Sequence, residues 1–345
     1  MRNKIIVALV ALAFLLSGIG FFSAEARESS STINDLAMLL PESDGVITLD
    51  SERLISEALP QILSGSQQKL DKFNGFIEKV KSEVGMDLKD FKHVAIGLKS
   101  ENVTETEIDL DPVILTRGNI ESKAMIALAR IAANGKYHTE KYQGKTIYIF
   151  STEKLIEKNK PKAKDDFLGK IIDKMVKGLQ NEVAVTDYDK NTLAIGTVKR
   201  VKESIDKSPR VGGEVLALLT RKPNSVANMG MVLPEGLSKF ITLDNDELGN
   251  TLDSIRQIQG AMDVNDGNTM VALMAKTVET ADAENLEMTL SGFQMIGKSL
   301  LGRSNKPKNK VYARMVENVV IERDQNAVMI DLKVPQSDLN VLIGP

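Results

Sequence analysis

Residues 182–206 read EVAVTDYDKNTLAIGTVKRVKESID. Val183, Val185, Leu193 and Ile195 recur at period two on either side of Tyr188-Asp189-Lys190-Asn191, the pattern of two strands joined by a tight turn. The period then changes. Val198, Val201 and Ile205 fall on one helical face, and Lys199, Arg200, Lys202, Glu203 and Asp206 surround it. The same layout returns at residues 318–343, NVVIERDQNAVMIDLKVPQSDLNVLI. There Val319 and Ile321 precede a turn at Asp324-Gln325-Asn326, Val328 and Ile330 follow it, and a short helix opens near Pro335. The expected fold class is therefore α+β, with two pseudo-repeats of antiparallel-rich sheet packed with amphipathic helices.

The rest of the chain can be read outward from these two markers. Residues 46–49 form a buried strand, and Asp50-Ser51 can cap a helix carrying Leu54, Ile55, Ala58 and Leu59, which Pro60 would kink or end. A second helix covers 67–84, and strands follow at 91–98 and 113–116. A helix over 121–133 turns Ala124, Met125, Leu128 and Ile131 inward, and a hairpin closes around Gln143-Gly144. In the second half, a strand at 226–233 leads through Pro234 into a helix. Strands at 258–264 and 269–275 flank Asn265-Asp266-Gly267-Asn268, and a long helix over 279–301 presents Leu286, Leu290, Phe293, Ile296 and Leu300. Each half thus runs strand, two helices, two strands, helix, two strands, helix. The first half carries an extra block near 137–180. The expected division is a leader at 27–38, a first unit at 39–207, a connector at 208–224 and a second unit at 225–345.

The first 26 residues fall outside this pattern. Arg2 and Lys4 precede an apolar run from Ile5 to Leu16, and Ala24-Glu25-Ala26 is followed by Arg27-Glu28-Ser29. This is the pattern of a secretory signal peptide cut after Ala26, with an uncleaved anchor as the alternative. The chain has no cysteine, which excludes disulfides, thiolate chemistry and cysteine metal sites. A disulfide-free exported chain suits a bacterial periplasm or the cell exterior, with no stable membrane span after the signal is removed. Removing Arg2, Lys4 and Glu25 takes the net charge from −3 to about −4. That balance, with aromatic residues at only 4%, gives no drive toward nucleic acid.

Familiar chemistry is missing. His93 and His138 have no carboxylates at metal-ligand spacing, so no metal or cofactor is expected. Ser66–Lys69, Ser151–Lys154 and Ser204–Lys207 match Ser-x-x-Lys, but no Ser-Asp-Asn or Lys-Thr-Gly accompanies them. Asp187, Asp189 and Asn191 begin like a calcium loop, yet Thr192 and Val198 replace its glycine and glutamate. The alternating acids Glu101, Glu105, Glu107, Asp109 and Asp111 read as a charged strand edge. Two basic loops are less ordinary. One holds Lys158, Lys160 and Lys162, and the other holds Lys306, Lys308 and Lys310. Their flexible point charges are candidates for contact with anions, or serve as solubilising linkers.

Three segments carry a resemblance: residues 39–50 (Leu-Leu-Pro to Leu-Asp), Lys141-Tyr142-Gln143-Gly144-Lys145 with Tyr148, and the strand pair 183–195 with its following helix. The chain resembles a group of uncharacterised bacterial exported proteins. The resemblance implies a duplicated α+β unit and carries no catalytic residues. The expected function is a non-catalytic binding or scaffolding protein for an unknown protein or apolar small-molecule partner. A carrier of a lipid or other apolar molecule is the alternative, in a cavity lined by Met229, Met231, Met270, Met274 or Met295. An enzyme with an unfamiliar site would place it around His138, Tyr142 and Tyr148.

Overall fold

A computed structural model describes residues 35–101, 109–151, 177–179, 181–206, 209–220, 222, 224–233 and 251–344. The signal segment with Ala26, the alternating acids at 105 and 107, and Lys158, Lys160 and Lys162 lie outside the described residues.

Local sequence explains most elements. Strand β1 (Gly45–Asp50) ends where the Asp50 carboxylate accepts a hydrogen bond from Arg53 N at 2.9 Å, starting helix α1 over 51–63. Pro60 does not end that helix. Leu54–Ala58 widens into a π-helical stretch in which Leu59 N–H bonds to Leu54 O, and the helix resumes over Leu59–Leu63. Helix α2 (Gln67–Val84), β2 (Phe91–Glu101) and β3 (Asp109–Gly118) follow. Helix α3 (Ser122–Ala133) is capped by Glu121. Its buried face is Met125, Ile126, Ala129 and Ala133, whereas Ile131 is 74% exposed. The helix is therefore rotated from the predicted face, because Ile126 and Ala129 reach the core that Ile131 was expected to fill. Strands β4 (Tyr137–Tyr142) and β5 (Lys145–Ser151) turn at Gln143-Gly144, where both residues have positive φ, 44° and 79°.

Strands β6 (Glu182–Asp189) and β7 (Thr192–Gly196) and helix α4 (Val198–Ile205) form as predicted, with Thr197 Oγ1 accepting from Arg200 N at 3.2 Å. The expected connector contains a helix, α5 (Gly213–Leu218), ahead of β8 (Ala227–Val232). Strands β9 (Ile255–Asn265) and β10 (Asn268–Thr277) turn at Asp266-Gly267, with φ of 47° and 70°. Helix α6 (Thr280–Gly302) has a capping box between Glu279 and Asp282. The expected basic loop at 303–310 is in large part the start of another helix, α7 (Pro307–Asn318), with Pro307 in its first turn. Strands β11 (Val320–Asp324) and β12 (Ala327–Pro335) and helix α8 (Gln336–Ile343) complete the order.

The twelve strands among the described residues join one antiparallel sheet in the order β11-β12-β10-β9-β8-β1-β2-β3-β7-β6-β5-β4. The seam is β1–β8, where Thr48 faces Asn228 and Ile47 faces Met229. Outward from the seam, β1-β2-β3-β7-β6 on one side matches β8-β9-β10-β12-β11 on the other. The extra pair β5-β4 extends the first half to the sheet's far edge. The marker hairpins therefore correspond in place and pairing: β7 lies against β3, and β12 against β10. Their trailing helices do not correspond. Helix α4 packs Val201 on Ile147, Ile149 and Ala184 of the sheet, whereas α8 lies against α1, α7 and β12.

Both faces of the central strands are covered. On one face, Ile96, Leu98, Ile114, Phe150, Val185, Leu193 and Met229 pack with Ile77, Met125, Ile126 and Leu286 from the helices. On the other, Val46, Ala95, Val113, Leu115 and Ala194 pack with Leu36, Leu40, Val215 and Leu219. Helix α5 approaches so closely that a Cβ on Gly230 would stand 2.7 Å from Leu218 Cβ. That contact fixes glycine at the seam strand.

Candidate functional site

The predicted methionines do not line a common space. Met229 and Met231 are buried, and Met231 lies over Gly45. A Cβ on Gly260 would meet Met229 and Leu273, so these share one face of the sheet. Met270 and Met274 alternate with Leu273 along β10 and point to the opposite face. Met295 is 73% exposed on α6. The methionines at the seam fill core.

The predicted tyrosine and histidine group does not converge either. His138 pairs with Ile149 and Tyr142 with Lys145, which puts both on the face of Ile147 and Ile149. Tyr148 is on the other face, where Arg130 lies 5.5 Å from its ring centroid and donates to Tyr137 Oη at 2.9 Å. Tyr142 Oη donates to Asp206 at 3.0 Å. Burial holds the His93 imidazole, in β2, below its ordinary pKa. Among the described residues, no three His, Asp or Glu side chains gather as metal ligands. Glu101, Asp109 and Asp111 do not mark a sheet edge, because β2 and β3 are interior strands between β1 and β7. Glu101 pairs with Lys199, Asp109 with Lys177 at 3.3 Å, and Asp111 accepts from Thr197 Oγ1 at 2.7 Å. An open, polar cleft of about 560 Å³ lies nearby, lined by Ser151, Lys177, Asn181, Glu182 and Thr197.

The most unusual surface is the α6–α7 hairpin. Helix α6 carries a long apolar stripe that the core covers only at its N-terminal end. Ala283 and Leu286 are buried, and Leu290 packs partly against the core. Met288, Phe293, Met295, Ile296 and Leu300 face solvent, the last 70% exposed. Phe293, Ile296 and Leu300 follow Leu286 and Leu290 at steps of three, four and seven residues and continue the same stripe, while Met288 and Met295, seven residues apart, lie outside it. The predicted inward set was thus half right, because the core covers Leu286 and Leu290 while the same stripe runs on uncovered through Phe293, Ile296 and Leu300. Helix α7 is fastened beside α6 by Gln294 Nε2, which donates to Val316 O and Val319 O at 2.8 and 2.7 Å. Val316 also packs where Gly297 has no side chain, 3.2 Å from a Cβ position there. One turn from Val316, Tyr312 is 45% exposed beside the end of α6.

Lys306, Lys308 and Lys310 stand at this end of the hairpin, with Arg303 before them. Lys306 is the N-cap residue of α7, and the next two lysines lie in its opening turns. Among the described residues these four cations form no ion pair. Cations at a helix N-terminus meet the positive end of the backbone dipole, at a cost of about 0.3–1 kcal/mol each. Apolar exposure and unneutralised positive charge therefore coincide on one hairpin.

No protein-family model matches the sequence, and no curated protein matches it. Among solved structures the chain is similar to TP0453. Crystal form I gives a TM-score of 0.41 at 10% identity, covering 90% of this chain and 97% of that one. Form IV gives 0.44 at 10% identity over 90% and 96%, and form III gives 0.42 at 9% identity over 89% and 97%.

Proposed function

We propose that this protein is an exported, non-catalytic binding or scaffolding module, working in the periplasm or outside the cell, and that the α6–α7 hairpin is its contact surface. The observation that supports this reading is the exposed apolar C-terminal half of α6, with Phe293, Met295, Ile296 and Leu300, ending beside Lys306, Lys308 and Lys310. Large apolar side chains grouped on a surface mark interaction sites. An adjoining rim of like charge selects the partner and speeds its arrival. The fitting occupant is a protein surface with an apolar centre flanked by carboxylates, which would also neutralise the cations at the α7 N-terminus. Met229 and Met231, two of the methionines the carrier reading would set around a cavity, are packed at the seam.

The test is chemical cross-linking in the native organism followed by affinity purification. It compares wild type with Phe293→Glu/Ile296→Glu and with Lys306→Glu/Lys308→Glu/Lys310→Glu. A protein retained by wild type, lost from the first variant and held more weakly by the second as salt rises supports the reading. A protein retained equally by all three overturns it. Native mass spectrometry of the same preparation tests the rival, since a co-purifying lipid or small molecule would replace scaffold by carrier. Binding of the purified chain to anionic vesicles, without any protein partner, would also displace the proposal.

A further inference from the structure

Nine buried side-chain polar atoms among the described residues have no hydrogen-bond partner, and five of them gather around the C-terminal half of β1. They are Thr48 Oγ1, Ser51 Oγ, His93 Nδ1, Asn224 Oδ1 and Asn228 Oδ1. The register shows how they meet. Thr48 stands directly opposite Asn228 across the seam, so their side chains share a face. Asp50, two residues on and on the same face, stands opposite His93 of β2. Asn224 is tied to the same end of β1 through its carbonyl, which accepts from Arg53 Nη1 at 2.8 Å.

Thr48 and Asn228 are 1% and 4% exposed. Their other neighbours in the row are Ala95 and Ala261, both buried and neither able to hydrogen-bond through a side chain. Buried polar atoms are nearly always satisfied. A threonine hydroxyl donates or accepts, and an amide oxygen only accepts. A small molecule that both donates and accepts fits between them. Water is the species of that size and valence found at such places, making two to four bonds per molecule.

We propose that the β1–β8 seam holds an internal hydration site in which bound water bridges Thr48 Oγ1 and Asn228 Oδ1, linking the first unit to the second. The site extends toward Ser51, His93 and Asn224. It supplies the side-chain polar contact across the seam that the two residues do not make directly.

The signs of a mutant cycle distinguish a bridged pair from a pair of stranded atoms. Thr48→Val, Asn228→Leu and the double variant are made in the full chain and unfolded with urea. With bridging water, each single change strands the opposite group and lowers the folding equilibrium constant about tenfold. The double variant then falls no further than the worse single change. Thr48→Ser, which keeps the hydroxyl, retains most of the stability and serves if the others fail to fold. Single variants more stable than wild type, or losses that simply add, overturn the proposal. A crystal structure resolving ordered water decides independently: a water within hydrogen-bond reach of both atoms supports it, and direct contact between the two side chains ends it. A bound mass other than water in native mass spectrometry ends it as well.

Discussion

Replacing Arg53 by Met removes the ionic contact between the two units and keeps most of the side chain's apolar stem. Arg53, on α1 of the first unit, donates to Asp263 of β9 in the second, Nη2 to Oδ1 at 2.6 Å and Nη1 to Oδ2 at 3.4 Å. The carboxylate side chain is fully buried and also accepts from Val264 N at 2.7 Å. Burial outweighs these favourable contacts and pushes the Asp263 pKa from 3.8 up to about 6. A raised acid binds its proton more tightly when folded. Its contribution to stability is therefore greatest below about pH 4 and declines as pH rises through about 6, by about 3 kcal/mol in all. Without the guanidinium, the charged form loses its partner and the pKa climbs further. At pH 8, Arg53→Met should cost about 3–5 kcal/mol, the usual effect of stranding a buried charge. At pH 5, Asp263 is protonated and the cost should shrink to about 1 kcal/mol, the value of the lost hydrogen bonds. Urea unfolding at both pH values measures the difference. An equal loss at pH 5 and pH 8, or a loss below about 1 kcal/mol at pH 8, would refute the reasoning.

Two further changes test the packing. A Cβ on Gly118 would stand 1.9 Å from Asp90 O and 2.8 Å from Lys92 N. Gly118→Ala should thus cost at least about 2 kcal/mol, since backbone must move, and a thermal midpoint within a degree of wild type would contradict that contact. Phe150 is 1% exposed in the core and stacks near Tyr137 at 5.6 Å. Phe150→Ala should lose about 3–5 kcal/mol in denaturant unfolding, and a loss under about 1 kcal/mol would place β5 outside the main core.

Much of the fold was legible because its causes are local. Turn chemistry marked the hairpins: Gln143-Gly144 and Asp266-Gly267 both adopt positive φ. Asp50 accepts from the backbone N–H three residues on, as its place before an apolar run implied, and Thr197 caps its helix in the same way. Other features escaped for equally physical reasons. Helix α7 was hidden because Pro307 and three lysines open it, and only Val311 among its residues is buried. The exposed half of α6 was misread because Phe293, Ile296 and Leu300 continue the apolar stripe of Leu286 and Leu290 past the point where the core covers it. Periodicity identifies an apolar side but not what covers it. Of the candidate anion contacts, Lys306, Lys308 and Lys310 prove to begin a helix beside an exposed apolar strip. That conjunction needs α6 and α7 side by side, which neither segment encodes alone.

The sequence by itself determined the strands, most of the helices and the likeness of 182–206 to 318–343, since two- and 3.6-residue periods, caps and turn stereochemistry act within a few residues. Only the tertiary structure decided that the two units share one twelve-stranded sheet, with Thr48 against Asn228 at the seam. It alone placed α8 with α1 and α7 while α4 took the sheet, and it alone joined Arg53 to Asp263. A strand's backbone offers the same N–H and C=O groups to any neighbour. Its partner is chosen by the faces that must be buried together, and those faces belong to residues far apart in the chain.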